Sequence, residues 1–442
     1  MSFSPFSGRR WVVLAVLGMG LPGIVYGQHQ HAPSTGAGLI PEAQVGSGTA
    51  WLPAAVPISG YHVRPGRWSL MAHGSVFLQF VYDFGTRRDY QLGSVNWAMA
   101  GAAHPLAGGT VGVRAMLSAE PLTVTERGYP QLLQVAQPYQ QVTLTDRMHP
   151  HELVSEAAVI YDHDIGAGIA GSLYLAAVGE PALGPVSYRH RPSATHDPAA
   201  PLGHHSQDFT HTSFGVATAG VYTRRVRIEG SVFNGAHPDD VRTNFDFAGA
   251  RLNSYAARLT VNPDPRWSVA AWGGYLAASG GTHAHGALHR VGLALLRSAP
   301  SGVGGTWSTA LIWGADVPSE TRRALHSILL ESSLEPGSND AVLGRVEYVQ
   351  RTAADLALIG SVRPELDLGA LSLGYARRLL SGYGLDAWLG LRGTMNLVPE
   401  DLHLFYGSRT PLGVIAYLQV TPSRRADHLM PLGSSQCTTC MR

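Results

Sequence analysis

Residues 209–235, FTHTSFGVATAGVYTRRVRIEGSVFNG, read as two strands joined by a tight turn near Thr223 and Arg224. Side chains alternate across a strand, so in the second strand Val226, Ile228 and Val232 share one face. Arg225, Arg227, Glu229 and Ser231 share the other. Sorting of this kind puts apolar groups and charges on opposite faces of one sheet. With the charged face turned inward and the apolar face outward, the pattern is that of a sheet closed on a polar lumen and bathed in lipid. The stretch therefore predicts an all-β fold, a transmembrane antiparallel β-barrel.

The rest of the chain follows the same rhythm. Residues 68–82 place Leu70, Ala72, Val76, Leu78 and Phe80 on one side, and Ser69, His73, Ser75 and Gln79 on the other. Further strands are expected over 91–101, 109–119, 152–162, 167–178, 212–222, 225–234, 253–261 and 266–276. The remainder fall at 288–297, 304–314, 325–333, 341–351, 367–378, 383–394 and 411–420, which makes about 16, the even count of a single-chain bacterial barrel. Linkers after even-numbered strands are short: 163–166, 223–224, 262–265 and 379–382. Those after odd-numbered strands are mostly long, as at 120–151, 179–211, 235–252 and 395–410. Short periplasmic turns at one end and long outward loops at the other suit an outer-membrane barrel.

Composition agrees. Of 442 residues only 14% are charged, against roughly 25% in soluble domains, while 52 are glycine and 45% are hydrophobic. No uncharged run approaches the roughly 20 residues of a membrane-spanning helix. The formal net charge of +1 gives no sign of a nucleic-acid partner. Arg9, Arg10, the apolar run 11–21 and the small-residue site 25–27 predict a cleavable signal peptide over residues 1–27 and export from the cytoplasm. The Pro/Gly-rich span 28–67 reads as an extended segment lying either ahead of the barrel or inside it. The barrel is expected over 68–421 and a tail over 422–442. Cys437 and Cys440 stand C-x-x-C in that tail, away from any βαβ pattern, and read as a disulfide or an inert pair.

Two histidine clusters carry the chemistry. DRMHPHELV holds Asp146, His149, His151 and Glu152; YRHRPSATHDPAAPLGHHSQDFTH holds His190, His196, Asp197, His204, His205, Asp208 and His211. Imidazole with carboxylate suits Cu(II), Zn(II) or Ni(II), and the soft thiolates favoured by Cu(I) are absent from these clusters. An extended H-x-H turns both rings to one face, with Pro150 biasing His149 that way. The candidate ligands are His149, His151, Glu152, His190, His196, His204, His205, Asp208 and His211. The same loops also read as polar material closing a lumen by hydrogen bonds. THAHGALHR, with His283, His285 and His289, has a weaker claim, and His29 and His31 read first as part of a polar tail. Glu156, Arg225, Arg227, Glu229, Arg258, Arg345 and Glu347 are expected to line the lumen, with Arg351, Asp386 and Arg392. There they tune selectivity in a pore or pair across a closed one. Trp68, Tyr82, Trp267, Tyr275, Trp307 and Trp313 are candidates for interfacial girdles. No G-x-S-x-G elbow supports a hydrolase.

The stretches GSGTAWLP (46–53), PLTVTERGYPQLLQ (121–134), DRMHPHEL, GEPALGPVSYRHRPSATHDPAAPLGHHSQDFTHTSFGVATAGVY, EGSVFNG, NPDPRWSV and TPLGVIAYLQV resemble a family of poorly characterised Gram-negative outer-membrane proteins. That family is sometimes associated with copper and heavy-metal resistance genes. Glu152 departs from the Asp expected after H-P-H, and the tail SSQCTTCMR departs from a terminal aromatic strand. The resemblance implies an outer-membrane location and a barrel. The functional expectation is a porin-like channel or binding barrel for small solutes, metal ions among them, either monomeric or a homotrimer in outer-membrane lipid. A non-conducting barrel for metal sequestration or surface interaction is the alternative.

Overall fold

The computed structural model describes residues 39–124, 128–236, 238–247, 251–277, 286–358 and 364–424. The expected signal peptide over residues 1–27, His29, His31, His283, His285 and the Cys437/Cys440 pair lie outside them. Sixteen strands form one closed antiparallel barrel. They are β1 (Ser69–Asp83), β2 (Asp89–Leu106), β3 (Gly109–Leu117), β4 (Val154–Gly166), β5 (Ile169–Gly179), β6 (Ser213–Tyr222), β7 (Val226–Phe233) and β8 (Ser254–Val261). The second half comprises β9 (Trp267–Leu276), β10 (Leu288–Ser301), β11 (Gly305–Pro318), β12 (Leu325–Glu335), β13 (Asp340–Thr352), β14 (Glu365–Gly382), β15 (Leu385–Leu397) and β16 (Leu412–Pro422). Each strand pairs with the next, and β16 returns to β1 in the register Val76↔Val420 to Asp83↔Gly413, which leaves no free edge.

The inversion read from the sequence is present. Along β7, Val226, Ile228 and Val232 are exposed, whereas Arg227, Glu229 and Ser231 are buried. The outer wall continues as an apolar band through Leu78, Leu173, Leu259, Leu293, Leu330, Leu371 and Leu391, all exposed. Aromatics rim both ends. At the short-turn end Arg297 lies between Trp267 and Trp307, and across the barrel Trp68, in the chain entering β1, is exposed against His104. At the other end Tyr82 stacks on Tyr90 and Tyr255 on Tyr275. A band of this kind, bounded by rings suited to the headgroup level, is the wall of a transmembrane barrel.

Three of the short turns are X-Gly pairs with both residues left-handed: Ala107-Gly108, Ala167-Gly168 and Tyr383-Gly384. Type I′ turns match strand twist, so β4 and β14 run on to Gly166 and Gly382 and take up the linkers expected at 163–166 and 379–382. Two expectations are corrected at strand starts. Arg225 belongs to the turn ahead of β7 and is exposed, not lumenal; its carbonyl accepts from Asn262 N at 2.7 Å. Glu152 precedes β4, which begins at Val154.

The lumen is filled by the chain itself. Residues 46–53 are all buried and lie near the short-turn end. There Arg258 Nη2 donates to Thr49 Oγ1 (2.9 Å), Asn262 Nδ2 to Leu52 O (3.2 Å) and Ser268 Oγ to Trp51 O (3.2 Å). Gly48, at φ +52°, sits where a Cβ would come 2.8 Å from Glu180 Cβ, so this crossing of two buried segments needs glycine. The span 28–67 therefore lies, from residue 39 onward, partly inside the barrel. The connection after β5 does not project outward. Every residue from 180 to 210 is buried except Arg189, Pro192 and Thr195, which are half-buried. It touches the wall around the circumference: Ala182 N donates to Ser231 Oγ (2.7 Å), Arg290 Nη2 to His205 O (2.8 Å), Arg345 Nη1 to Ala199 O (2.9 Å) and Gln419 Nε2 to Thr195 O (2.8 Å). Residues 128–153 cap this loop from the long-loop end, with Gln131 Nε2 donating to Ala200 O (2.6 Å) and Gln134 Nε2 to Pro201 O (3.2 Å).

Candidate metal centre

Among the described residues the structure brings His151, His204 and His211 together, with one ring nitrogen from each within 4.8 Å of the others. His151 stands three residues before β4 in extended chain. His204 opens a single helical turn (His204–Gln207), and His211 ends the 3-10 turn Phe209–His211 that leads into β6. Two turns in succession fold H-x3-D-x2-H so that both rings converge around Asp208. Asp208 N donates to His204 O (3.0 Å) and His211 N to Asp208 O (3.1 Å).

Each ring is fixed through Nδ1. His204 Nδ1 donates to Asp208 Oδ1 (2.6 Å), His211 Nδ1 to Asp208 O (2.8 Å) and His151 Nδ1 to Glu120 Oε2 (2.8 Å). Acceptors on Nδ1 set the tautomer that leaves Nε2 with its lone pair, which is the outer-shell arrangement of histidine metal ligands. The Nε2 atoms of His151 and His211 are buried and accept nothing from the protein. The cavity between these rings has a volume of about 20 Å³ and is also lined by His149, Glu152, His205 and Arg242. That is room for about one water-sized occupant. Burial, then Arg189, hold His151 well below the ordinary imidazole value. Burial and the neighbouring His204 push His211 down to about 3. Both rings are therefore neutral at neutral pH, as ligands must be. Burial would raise the Asp208 carboxyl, but His204 and Arg191 outweigh it and hold it below the usual range, so the acceptor stays ionised.

The other expected ligands are placed differently. His149 and His205 neighbour the trio, their rings 5.7 Å apart, but His149 Nδ1 faces its own Pro150 carbonyl (2.9 Å). Glu152 pairs with Arg242 at 2.7 Å, and burial raises its carboxyl to about 7. Asp208 orients two rings through its side chain and carbonyl. His190 packs on His73 and Trp97, and His196 lies on Trp388 with Nδ1 at 2.7 Å from Gln419 Oε1. Glu120 and Arg189, bonded to each other at 2.8 Å, complete the outer shell. Glu120 escaped the sequence reading because it lies 31 residues from the histidine it holds.

The lumen charges other than Arg225 face inward and are held in networks. Arg114 chelates Glu156 (2.7 Å), Glu229 bridges Arg227 (2.8 Å) and Arg258 (2.9 Å), and Arg345 joins Glu331 (3.1 Å) and Asp197 (3.2 Å). Glu347 accepts from Leu202 N of the interior loop. Arg351 donates to Ser206 Oγ (2.8 Å), Arg392 pairs with Asp197 (3.1 Å) and Asp386 with Arg378 (3.3 Å). These groups bind the filling to the wall.

No protein-family model matches the chain, and no curated protein matches it. Among solved structures it is similar to an anion-selective porin from Comamonas acidovorans, with 14% identity over 80% of this chain and 99% of that one and a TM-score of 0.49. It is also similar to OmpF of Salmonella typhi in complex with daunomycin, with 8% identity over 81% and 99% and a TM-score of 0.49. At these scores the likeness adds no argument about function.

Proposed function

We propose that this protein is an outer-membrane barrel closed by its own chain, which binds one divalent transition-metal ion, Cu(II) or Zn(II), at its long-loop end. The observation that carries the reading is the trio His151, His204 and His211, each ring fixed through Nδ1 by a buried acceptor. Three imidazoles suit either ion, and the ionised Asp208 with Glu120 offsets its charge. The apolar outer band supports residence in lipid. An open solute pore is the weaker reading, because the lumenal charges are spent on one another and on the filling.

Calorimetry on full-length protein refolded in detergent tests this. One equivalent of Zn(II) is expected to bind, and His204→Ala with His211→Ala is expected to abolish binding. Glu120→Gln, which keeps the shape but weakens the hold on His151, is expected to cost about 10–100-fold in affinity. His196→Gln, away from the trio, should leave it unchanged. Equal affinity in wild type and the double variant, with the barrel folded in both, would remove the proposal.

A further inference from the structure

A second group of ligand-bearing side chains lies on the inner wall, apart from the trio. In the register of β1, β2 and β3, His73 stands opposite Met99, and Met99 opposite Met116. Met71, Met99 and Met116 form a buried cluster with Trp97 packed against it. His73 Nε2 is 3.3 Å from Met99 Sδ. From the interior loop His190 comes down onto the same place, its ring centroid 5.6 Å from His73 and 4.5 Å from Trp97. The Nδ1 atoms of His73 and His190 are both buried without a hydrogen-bond partner. The two histidines line a cavity of about 90 Å³, together with Trp97 and residues 56–59 of the N-terminal segment.

Apolar side chains such as Leu296, Ile312 and Leu329 also face inward where the filling packs on the wall, but Met99 differs from them in holding its sulfur beside an imidazole nitrogen. Thioether sulfur is a soft, neutral donor that favours Cu(I) over Zn(II) or Cu(II). Two ligands at about 2.0 Å (nitrogen) and 2.3 Å (sulfur) around a roughly tetrahedral ion lie about 3.3–3.5 Å apart, and the His73–Met99 separation falls in that range. The carboxylates lining the cavity are committed: Glu120 to Arg189 and His151, and Asp197 to Arg345 and Arg392. With neutral ligands, and the lining Arg189, Arg191 and Arg424 each already paired with a carboxylate, the pocket favours a monovalent ion over a divalent one.

We propose that His73, Met99 and His190 form a second metal site that takes a soft monovalent cation, Cu(I). The site lies on the opposite side of the Glu120–Arg189 pair from the His151 centre. Its cavity is lined by residues 56–59 of the N-terminal segment and by the interior loop between Tyr188 and Pro198, so the two centres differ in both hardness and lining.

The test is an anaerobic titration of full-length, detergent-purified protein with Cu(I) against a chromogenic chelator, with X-ray absorption on the loaded sample. Every protein compared carries Cys437→Ser and Cys440→Ser, because the tail thiols would themselves take Cu(I). Wild type is expected to show a sulfur scatterer on copper. Met99→Leu, nearly isosteric, is expected to remove that scatterer. It should also lower Cu(I) affinity by more than the roughly tenfold that loss of an outer-shell partner costs, while Zn(II) affinity stays unchanged. His204→Ala with His211→Ala is expected to do the reverse, abolishing Zn(II) binding while the copper–sulfur signal persists. Copper bound by nitrogen alone in wild type, or Cu(I) affinity indifferent to both Met99→Leu and His190→Gln, would overturn the site whatever the fate of the Zn(II) centre.

Discussion

Replacing residues 181–211 by a two-residue Asn-Gly turn is expected to turn a silent barrel into a conducting one. The cut is structurally mild, because Gly179 and Ser213 already face each other in the β5–β6 ladder and a hairpin turn can join them. The removed segment is the layer that crosses the lumen and accepts from Arg290, Arg345 and Arg351 on the far wall. Barrels of 16 strands have room for an aqueous channel once nothing fills them. In planar bilayers wild type should show little current, and the shortened protein discrete openings on the order of tenfold larger or more. Truncating residues 39–58 as well should widen them. Openings of the same size in wild type and the loop variant would mean that solute passes elsewhere, and the closed-barrel reading would fall.

The second large effect is expected at Glu331. This buried carboxylate on β12 accepts from Arg191 Nε (2.6 Å), Ser193 Oγ (2.8 Å) and Arg345 Nε (3.2 Å), and so fastens the loop to the wall. Removing it leaves two guanidinium groups short of a counter-charge in a closed interior. A buried pair broken from one side costs about 3–5 kcal/mol. Glu331→Ala should lower the unfolding free energy in urea by that amount, and Glu331→Gln by less, since it retains one acceptor. The exposed pair Arg323–Glu365, at 3.1 Å, serves as control; Glu365→Ala should change stability by less than about 1 kcal/mol. Equal midpoints for Glu331→Ala and wild type would show that the loop is held by its backbone contacts alone.

The wall was legible in the sequence because its rule is local. Val226, Ile228 and Val232 alternate with Arg227 and Glu229 within one strand, and no distant residue is needed to see which face meets lipid. The interior was not, because its pairings are long-range. Arg191 and Glu331 are 140 residues apart, and nothing in RHRPSATHDP states that its arginine will find a carboxylate across the barrel. A polar, Pro-rich loop looks the same whether it projects outward or folds in. For the metal centre, His204, Asp208 and His211 were readable as one local motif and His151 as part of H-P-H, but their convergence rests on the fold. The thioether cluster did leave a trace: Met71, Met99 and Met116 share the inward parity of their strands with His73.

Residues 46–53, ahead of the first strand, contact Arg114 on β3 and Tyr222 on β6 and reach as far as β8 and β9, halfway round the cylinder from the β1–β16 seam. A finished ring offers no lateral entrance to a segment so deeply enclosed. Wrapping the wall about its contents, with the seam from Val76–Asp83 to Gly413–Val420 joined last, avoids threading that segment through an end. Biogenesis of this protein is then less the insertion of a hollow tube than the packaging of a folded kernel. A defect in the kernel should appear first as barrels that fail to seal.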